Sequence, residues 1–190
     1  MLHLKKHLIG SASFFVFRFN AQSAILNVMR FTLIVSMLVM SLALNAQTIQ
    51  GKVVRVSDGD TITILDEAKV ESKIRLNRID APEKKQALGD ASRKYLATMV
   101  AGKFVKVEWA KKDKYGRILG DVFVGEVNVN LRMVQGGMAW HFKRFDNTPI
   151  YAQAENEARA KKVGLWKDAN PIPPWEFRKM KKGKNNCFTP

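Results

Sequence analysis

The chain has 190 residues and carries 32 Lys+Arg against 17 Asp+Glu, a formal charge of +15. Once a leader is set aside, that length leaves one domain with a core of ordinary size and excludes two. Its single cysteine, Cys187, excludes a fold held together by disulfides. Charge of this sign and size points to a polyanionic partner, either nucleic acid or an anionic membrane surface.

Residues 1–46 read as a targeting segment. They contain Lys5, Lys6, Arg18 and Arg30 and no acids, so the remainder still holds 28 basic against 17 acidic residues, about +11. From Met29 the chain runs "MRFTLIVSMLVMSLALNAQT": one arginine, an apolar stretch from Phe31 to Leu44, then small and polar residues ending in Ala46. This is the form of a secretory signal peptide with its cleavage site. The expectation is a mature chain from Gln47, exported to the periplasm or secreted. The apolar run is short of the about 20 residues that a spanning helix needs, so membrane attachment through an uncleaved anchor is the alternative. Residues 1–28, with the apolar patch "SASFFVF", are either an overlong n-region or an upstream start.

From Gln50 the pattern is that of strands. "GKVVRVSDGDTITIL" is two β-branched runs joined by Ser57-Asp58-Gly59, a hairpin signal. "SKIRLNRI" alternates Ile74 and Leu76 against Arg75 and Asn77, and Pro82 in "DAPE" breaks the strand. "LGDASRKYLATMVAGK" has helical spacing, with Asp90 as the expected cap and Gly102 as the stop. Two more strands, "KFVKVEW" and "ILGDVFV", flank the charged turn "AKKDKYGR". Two helices follow, "NLRMVQGG" and "NTPIYAQAENEARAKKVG", the second opening with Thr148 as cap and Pro149 at its first position. The tail from Pro171 is proline-rich, then basic, and is expected to be irregular. No internal repeat is visible. Five strands with one helix between the third and fourth, and two helices after the last, predict an α+β fold. It is a five-stranded OB-type barrel with three α-helices, occupying 47–168 with a tail at 169–190. Such barrels often bind oligonucleotides.

Asp58 and Asp60 in the "DGD" turn are either turn formers or ligands. Asp60 and Asp80 both follow strand runs and stand beside turn-forming residues. They can converge on one cation through carboxylate oxygens, with backbone carbonyls and water completing a flexible shell. Hard oxygen ligands point to calcium, with magnesium second. Arg75 and Arg117 offer planar donors that match phosphate oxygens and stay charged at any working pH. His141, beside Trp140, reads as a rim or packing histidine.

Taken together, "DGDT" (58–61), "IRLNRIDAPE" (74–83), "DKYGR" (113–117) and "GLW" (164–166) resemble the staphylococcal, or micrococcal, nuclease family, also called thermonucleases. The similarity runs from about Gly51 to Trp166. The resemblance implies a metal held by Asp60, Asp80 and the backbone carbonyl of Ala81, where family members commonly have threonine. It implies that Arg75 and Arg117 grip the scissile phosphate and that Glu83 activates the attacking water. It places Asp113, Lys114 and Tyr115 at the nucleotide, and Trp140 and Phe142 where the best-known members have tyrosines. Aromatics there can stack on bases without sequence preference.

The connection from Pro82 to the next helix is shorter than the lysine-rich loop of those members. The implied activity is hydrolysis of DNA and RNA, single strands above all, by a calcium-dependent monomer that leaves 3′-phosphate ends. No obligate protein partner is implied. Two rival readings are a non-catalytic barrel that binds single-stranded nucleic acid, and a peripheral protein whose basic tail lies on anionic lipid.

Overall fold

The computed structural model describes residues 24–36 and 47–186, and side chains up to residue 181. The chain divides into two units, residues 1–45 and 46–190. In the first, residues 24–36 form an exposed helix (α1) that presents Ile25, Leu26, Phe31, Leu33 and Ile34 to solvent. Among the described residues no helix is long and apolar enough to cross a membrane. The "SASFFVF" patch, the expected cleavage region at Ala46 and Cys187 lie outside the described residues.

The second unit is built on five strands: β1 (Gln47–Asp58), β2 (Thr61–Leu65), β3 (Glu71–Leu76), β5 (Phe104–Lys112) and β6 (Ile118–Val124). Three two-residue strands accompany them: β4 (Ile79–Asp80), β7 (Val127–Asn128) and β8 (Trp140–His141). The long β1 pairs antiparallel with β2 along one part and with β5 along another, which the β-branched content of "GKVVRV" favours. A parallel pairing of β3 with β6, Ile74 opposite Ile118 and Leu76 opposite Gly120, closes the sheet into a barrel. Gly120 fits this seam because a Cβ there would run into the Val107 side chain.

Alternation does the rest. Ile62, Ile64, Ile74, Leu76, Val107 and Val122 are buried almost completely inside the barrel. Each contributes roughly 1.5–3 kcal/mol by leaving water. Helix α2 (Gly89–Val100) brings Leu96 and Val100 onto this core, and α3 (Val129–Gln135) brings Met133 and Val134. The last barrel-side helix is α4 (Pro149–Ala160), followed by a single 3-10 turn, Gly164–Lys167.

Three local expectations are corrected. The first hairpin turns on Gly59-Asp60, one residue later than expected, because Asp58 still pairs with Thr61 after a register shift beyond Val56. Asp90 does not cap α2. Leu88 is the N-cap, left-handed at φ 62, and the Asp90 carboxylate bonds forward to Arg93 and Lys94. The start is fixed instead by Gly89, whose amide bonds to the Gln86 carbonyl and whose missing Cβ leaves room for the Glu83 carbonyl. Finally, the tail is not irregular. Pro174–Asn186 is a helix, α5. Pro174 stands at its first position, where a missing amide donor costs nothing, and Glu176 suits the positive end of the helix dipole.

Candidate active site

Asp60 leaves the first hairpin beside Thr61, which pairs across to Arg75 on β3. Gly59 permits this close turn, since a Cβ there would overlap the Ser92 hydroxyl and the Ala81 methyl. The backbone amide of Ala81 donates to Asp60 Oδ2 at 2.8 Å, and the Thr61 hydroxyl donates to Oδ1 at 3.0 Å. Asp80 is in β4, fully buried, with its backbone paired to Trp140.

Between the two acids lies the Arg75 guanidinium. One nitrogen pairs with Asp60 and the other donates to Asp80 Oδ1 at 2.8 Å. Burial works against the Arg75 charge, but the fields of Asp60, Asp80 and Asp58 outweigh it and raise its pKa. Asp58 is pushed up to about 6 by burial, and then by the like charge of Asp60. Burial likewise raises Asp80, against the pull of Arg178 and Arg75.

Glu83 follows Pro82 on a turn whose amide is held by the Gln86 side chain at 3.1 Å. Its carboxylate accepts from Arg178 of α5 at 2.7 Å, and Arg178 also donates to Asp80, at 2.7 Å to Oδ2 and 3.3 Å to Oδ1. Arg178 was not among the residues expected from the sequence. Its only signal there is the Trp175-Arg178 spacing, which puts both on one face if the tail is helical.

Arg117 stands in a second cluster. Asp113 Oδ2 accepts from its Nε at 2.7 Å, and Oδ1 accepts the amides of Tyr115 and Arg117, so Asp113 organises the turn. Those bonds keep the Asp113 carboxyl below the usual range despite its burial cost. Tyr115 is 71% exposed, with Lys114 and Arg117 over its ring at 5.0 and 5.6 Å from the centroid. Arg75 pairs with Leu119 on β6, and Arg117 immediately precedes that strand.

A third group is aromatic. Trp140 is 6% exposed, edge-on to Trp166 at 4.4 Å and to Trp175 at 5.6 Å. Phe142 lies under the Trp175 ring at 5.4 Å and 13°. The expected base-stacking pair is thus covered by Trp175, next to a cavity of about 300 Å³ rimmed by Lys143, Arg144, Arg159 and Lys179. His141 is a packing residue, 2% exposed, with Nε2 at 2.9 Å from Asp146. Arg78, left-handed at φ 66, donates to Asp121 and Asp146 and fixes the β3–β4 turn.

Among the described residues no three His, Cys, Asp or Glu side chains gather as a ready-made metal cage. What the site offers is a carboxylate pair bridged by Arg75, with Asp80 also held by Arg178. Two carboxylates completed by backbone carbonyl and water suit a hard divalent cation. Asp60, Asp80 and the Ala81 backbone are the residues that would hold it.

Residues 73–168 match the family described as staphylococcal nuclease homologue. The chain is 48% identical over 134 residues to an uncharacterized endonuclease of Escherichia coli, covering 70% of this chain and 87% of that protein. It is 47% identical over 131 residues to an uncharacterized endonuclease of Haemophilus influenzae, covering 69% and 74%. Against the staphylococcal-like nuclease CAN1 of Arabidopsis thaliana it is 44% identical over 113 residues, 60% of this chain and 35% of that one.

Proposed function

The chain belongs to the staphylococcal nuclease family and is a nuclease acting on nucleic acid, and from that premise we propose an exported, calcium-dependent enzyme that hydrolyses DNA and RNA with little sequence preference. The observation that carries the reading is the Asp60–Arg75–Asp80 bridge, with Glu83 tied to the same group of side chains. A calcium ion at Asp60, Asp80 and the Ala81 carbonyl would supply positive charge to the phosphate oxygens.

The remaining steps belong to side chains. Arg75 and Arg117 bind the non-bridging oxygens of the scissile phosphate, where negative charge grows as phosphorus becomes five-coordinate. Glu83 orients a water and takes its proton as the new P–O bond forms in line with the leaving 5′ oxygen. The bond to that oxygen breaks and it takes up a proton, leaving a 3′-phosphate and a 5′-hydroxyl. Contacts made to phosphate carry no sequence information, and a cleft on a barrel of this size admits a single strand more readily than a duplex.

The purified chain is expected to cleave single-stranded DNA in calcium, to slow at least a hundredfold in chelator, and to recover when calcium returns. Full activity in chelator would overturn the cation requirement, and binding without cleavage in calcium or magnesium would favour the non-catalytic barrel. Export rests on the Met29–Ala46 pattern. N-terminal sequencing of the protein from the cell envelope or medium is expected to begin at Gln47, and an intact N-terminus in the cytosol would refute it.

A further inference from the structure

Helix α5 lies outside the matched residues 73–168, yet it places a guanidinium at the centre of the site. Arg178 Nη1 and Arg75 Nη2 both donate to one oxygen, Asp80 Oδ1, at 3.3 and 2.8 Å, so the two guanidinium groups are neighbours. Three anchors hold the segment there. Gln86 Nε2 donates to the Ile172 carbonyl at 2.6 Å, Trp175 stacks on Phe142, and the edge of Trp175 meets Trp140, the backbone partner of Asp80.

The Arg178 side chain is 41% exposed. A guanidinium has five N–H donors, and three bonds run from Arg178 to the two acids. Three N–H groups of the two guanidiniums already occupy the Asp80 oxygens, so a divalent cation there competes with Arg178 and repels its charge. Once a cation takes Asp80, Glu83 still holds Arg178 Nη1, and the Nη2 donors that Asp80 gives up are left beside Arg75. The group that restores the balance is an anionic phosphate.

We propose that Arg178 is a third phosphate-binding arginine of this nuclease, held beside Arg75 by Asp80 and Glu83 and given over to the substrate phosphate when a cation occupies Asp80. This inference rests on the calcium and phosphate reading above. Its planar fork suits the two non-bridging oxygens of a phosphodiester.

The test uses the full chain with Arg178→Gln, Arg178→Lys and, as a charge control on the same helix, Lys181→Gln. Two readouts are taken in saturating calcium: kcat and KM on single-stranded DNA, and fluorescence anisotropy with a phosphorothioate single strand that resists hydrolysis. Arg178→Gln is expected to bind about tenfold more weakly and to lose about a hundredfold in kcat/KM. Arg178→Lys recovers part of the binding, and Lys181→Gln stays within about twofold of the parent. Tryptophan fluorescence follows whether α5 stays docked.

Unchanged binding and kcat/KM in Arg178→Gln would overturn the proposal. So would a variant faster than the parent at limiting calcium and equal to it at saturation, which would make Arg178 a plug only. Full recovery by Arg178→Lys together with restored docking would assign the residue to anchoring α5, and would also overturn it. A parent chain that neither binds calcium nor cleaves DNA would show instead that the underlying nuclease mechanism is wrong.

Discussion

Arg75→Ala is expected to lower kcat on single-stranded DNA by about a thousandfold, the scale on which arginines at transferring phosphoryl groups act. It should also destabilise the cation-free protein. Arg75 is the shared partner of Asp60 and Asp80, and the exposures of the three side chains are 13%, 9% and 1%. Removing one member of a buried ion pair costs about 3–5 kcal/mol because the remaining charges are left uncompensated. Asp80 keeps Arg178, which argues for the lower end. In a domain of this size that corresponds to a melting point about 10 °C lower.

Calcium separates the two effects. A cation bound by the freed carboxylates stabilises the folded state by mass action, so added calcium should raise the melting point of Arg75→Ala more than that of the parent. It should not restore kcat, because the lost donors acted on the phosphate. Arg75→Lys sharpens the comparison, since an ammonium keeps the charge but cannot bridge both acids in one plane. It is expected to recover stability in part and turnover hardly at all. A fall in kcat of less than tenfold would remove Arg75 from the phosphate. An unchanged melting point in chelator would show that the bridge is not net stabilising.

How much of this was legible in the sequence depends on the range of each interaction. The period-2 alternation of "IRLNR" puts Ile74 and Leu76 in the core and Arg75 on the other face, and the structure places them so. The strand order that predicts the barrel and the helix after β3 follow from local pattern, and Asp60 with Asp80 from their turns, whereas the Arg75 bridge between the two acids was not expected. Asp90 failed as a cap because the start of α2 is decided by the approach of Gly89 to the Glu83 carbonyl, a packing contact with no sequence signature.

The tail failed for a related reason. Its composition reads as irregular, and what orders the segment is distant. Trp175 rests on Phe142, and Arg178 bonds to Asp80, 98 residues earlier. The covering of Trp140 and Phe142 by Trp175 was equally out of reach, since expecting it requires knowing that α5 returns to the site.

Glu83→Gln is expected to lower kcat by about 10²- to 10⁴-fold, the usual contribution of a positioned base, while sparing most else. The amide keeps the shape of the side chain and the turn held by Gln86, but it cannot accept the proton of the attacking water. The pair with Arg178 is 41% exposed on each side, and such pairs are worth about 0–1 kcal/mol, so the melting point should move by no more than a few degrees. Glu83 is not among the carboxylates assigned to the cation, so calcium affinity is expected to stay within about twofold in a titration.

A loss of less than tenfold would mean that the proton of the water leaves by another route. Because Arg178 bonds directly to Glu83, the double variant with Arg178→Gln also tells two roles apart. If Arg178 works only by orienting Glu83, its removal costs nothing further once the carboxylate is gone, and the two losses fail to add. If it works on the phosphate, its removal lowers kcat/KM in the Glu83→Gln background by about the same factor as in the parent. Near-additive losses would leave Glu83 as the base and Arg178 as an independent phosphate ligand.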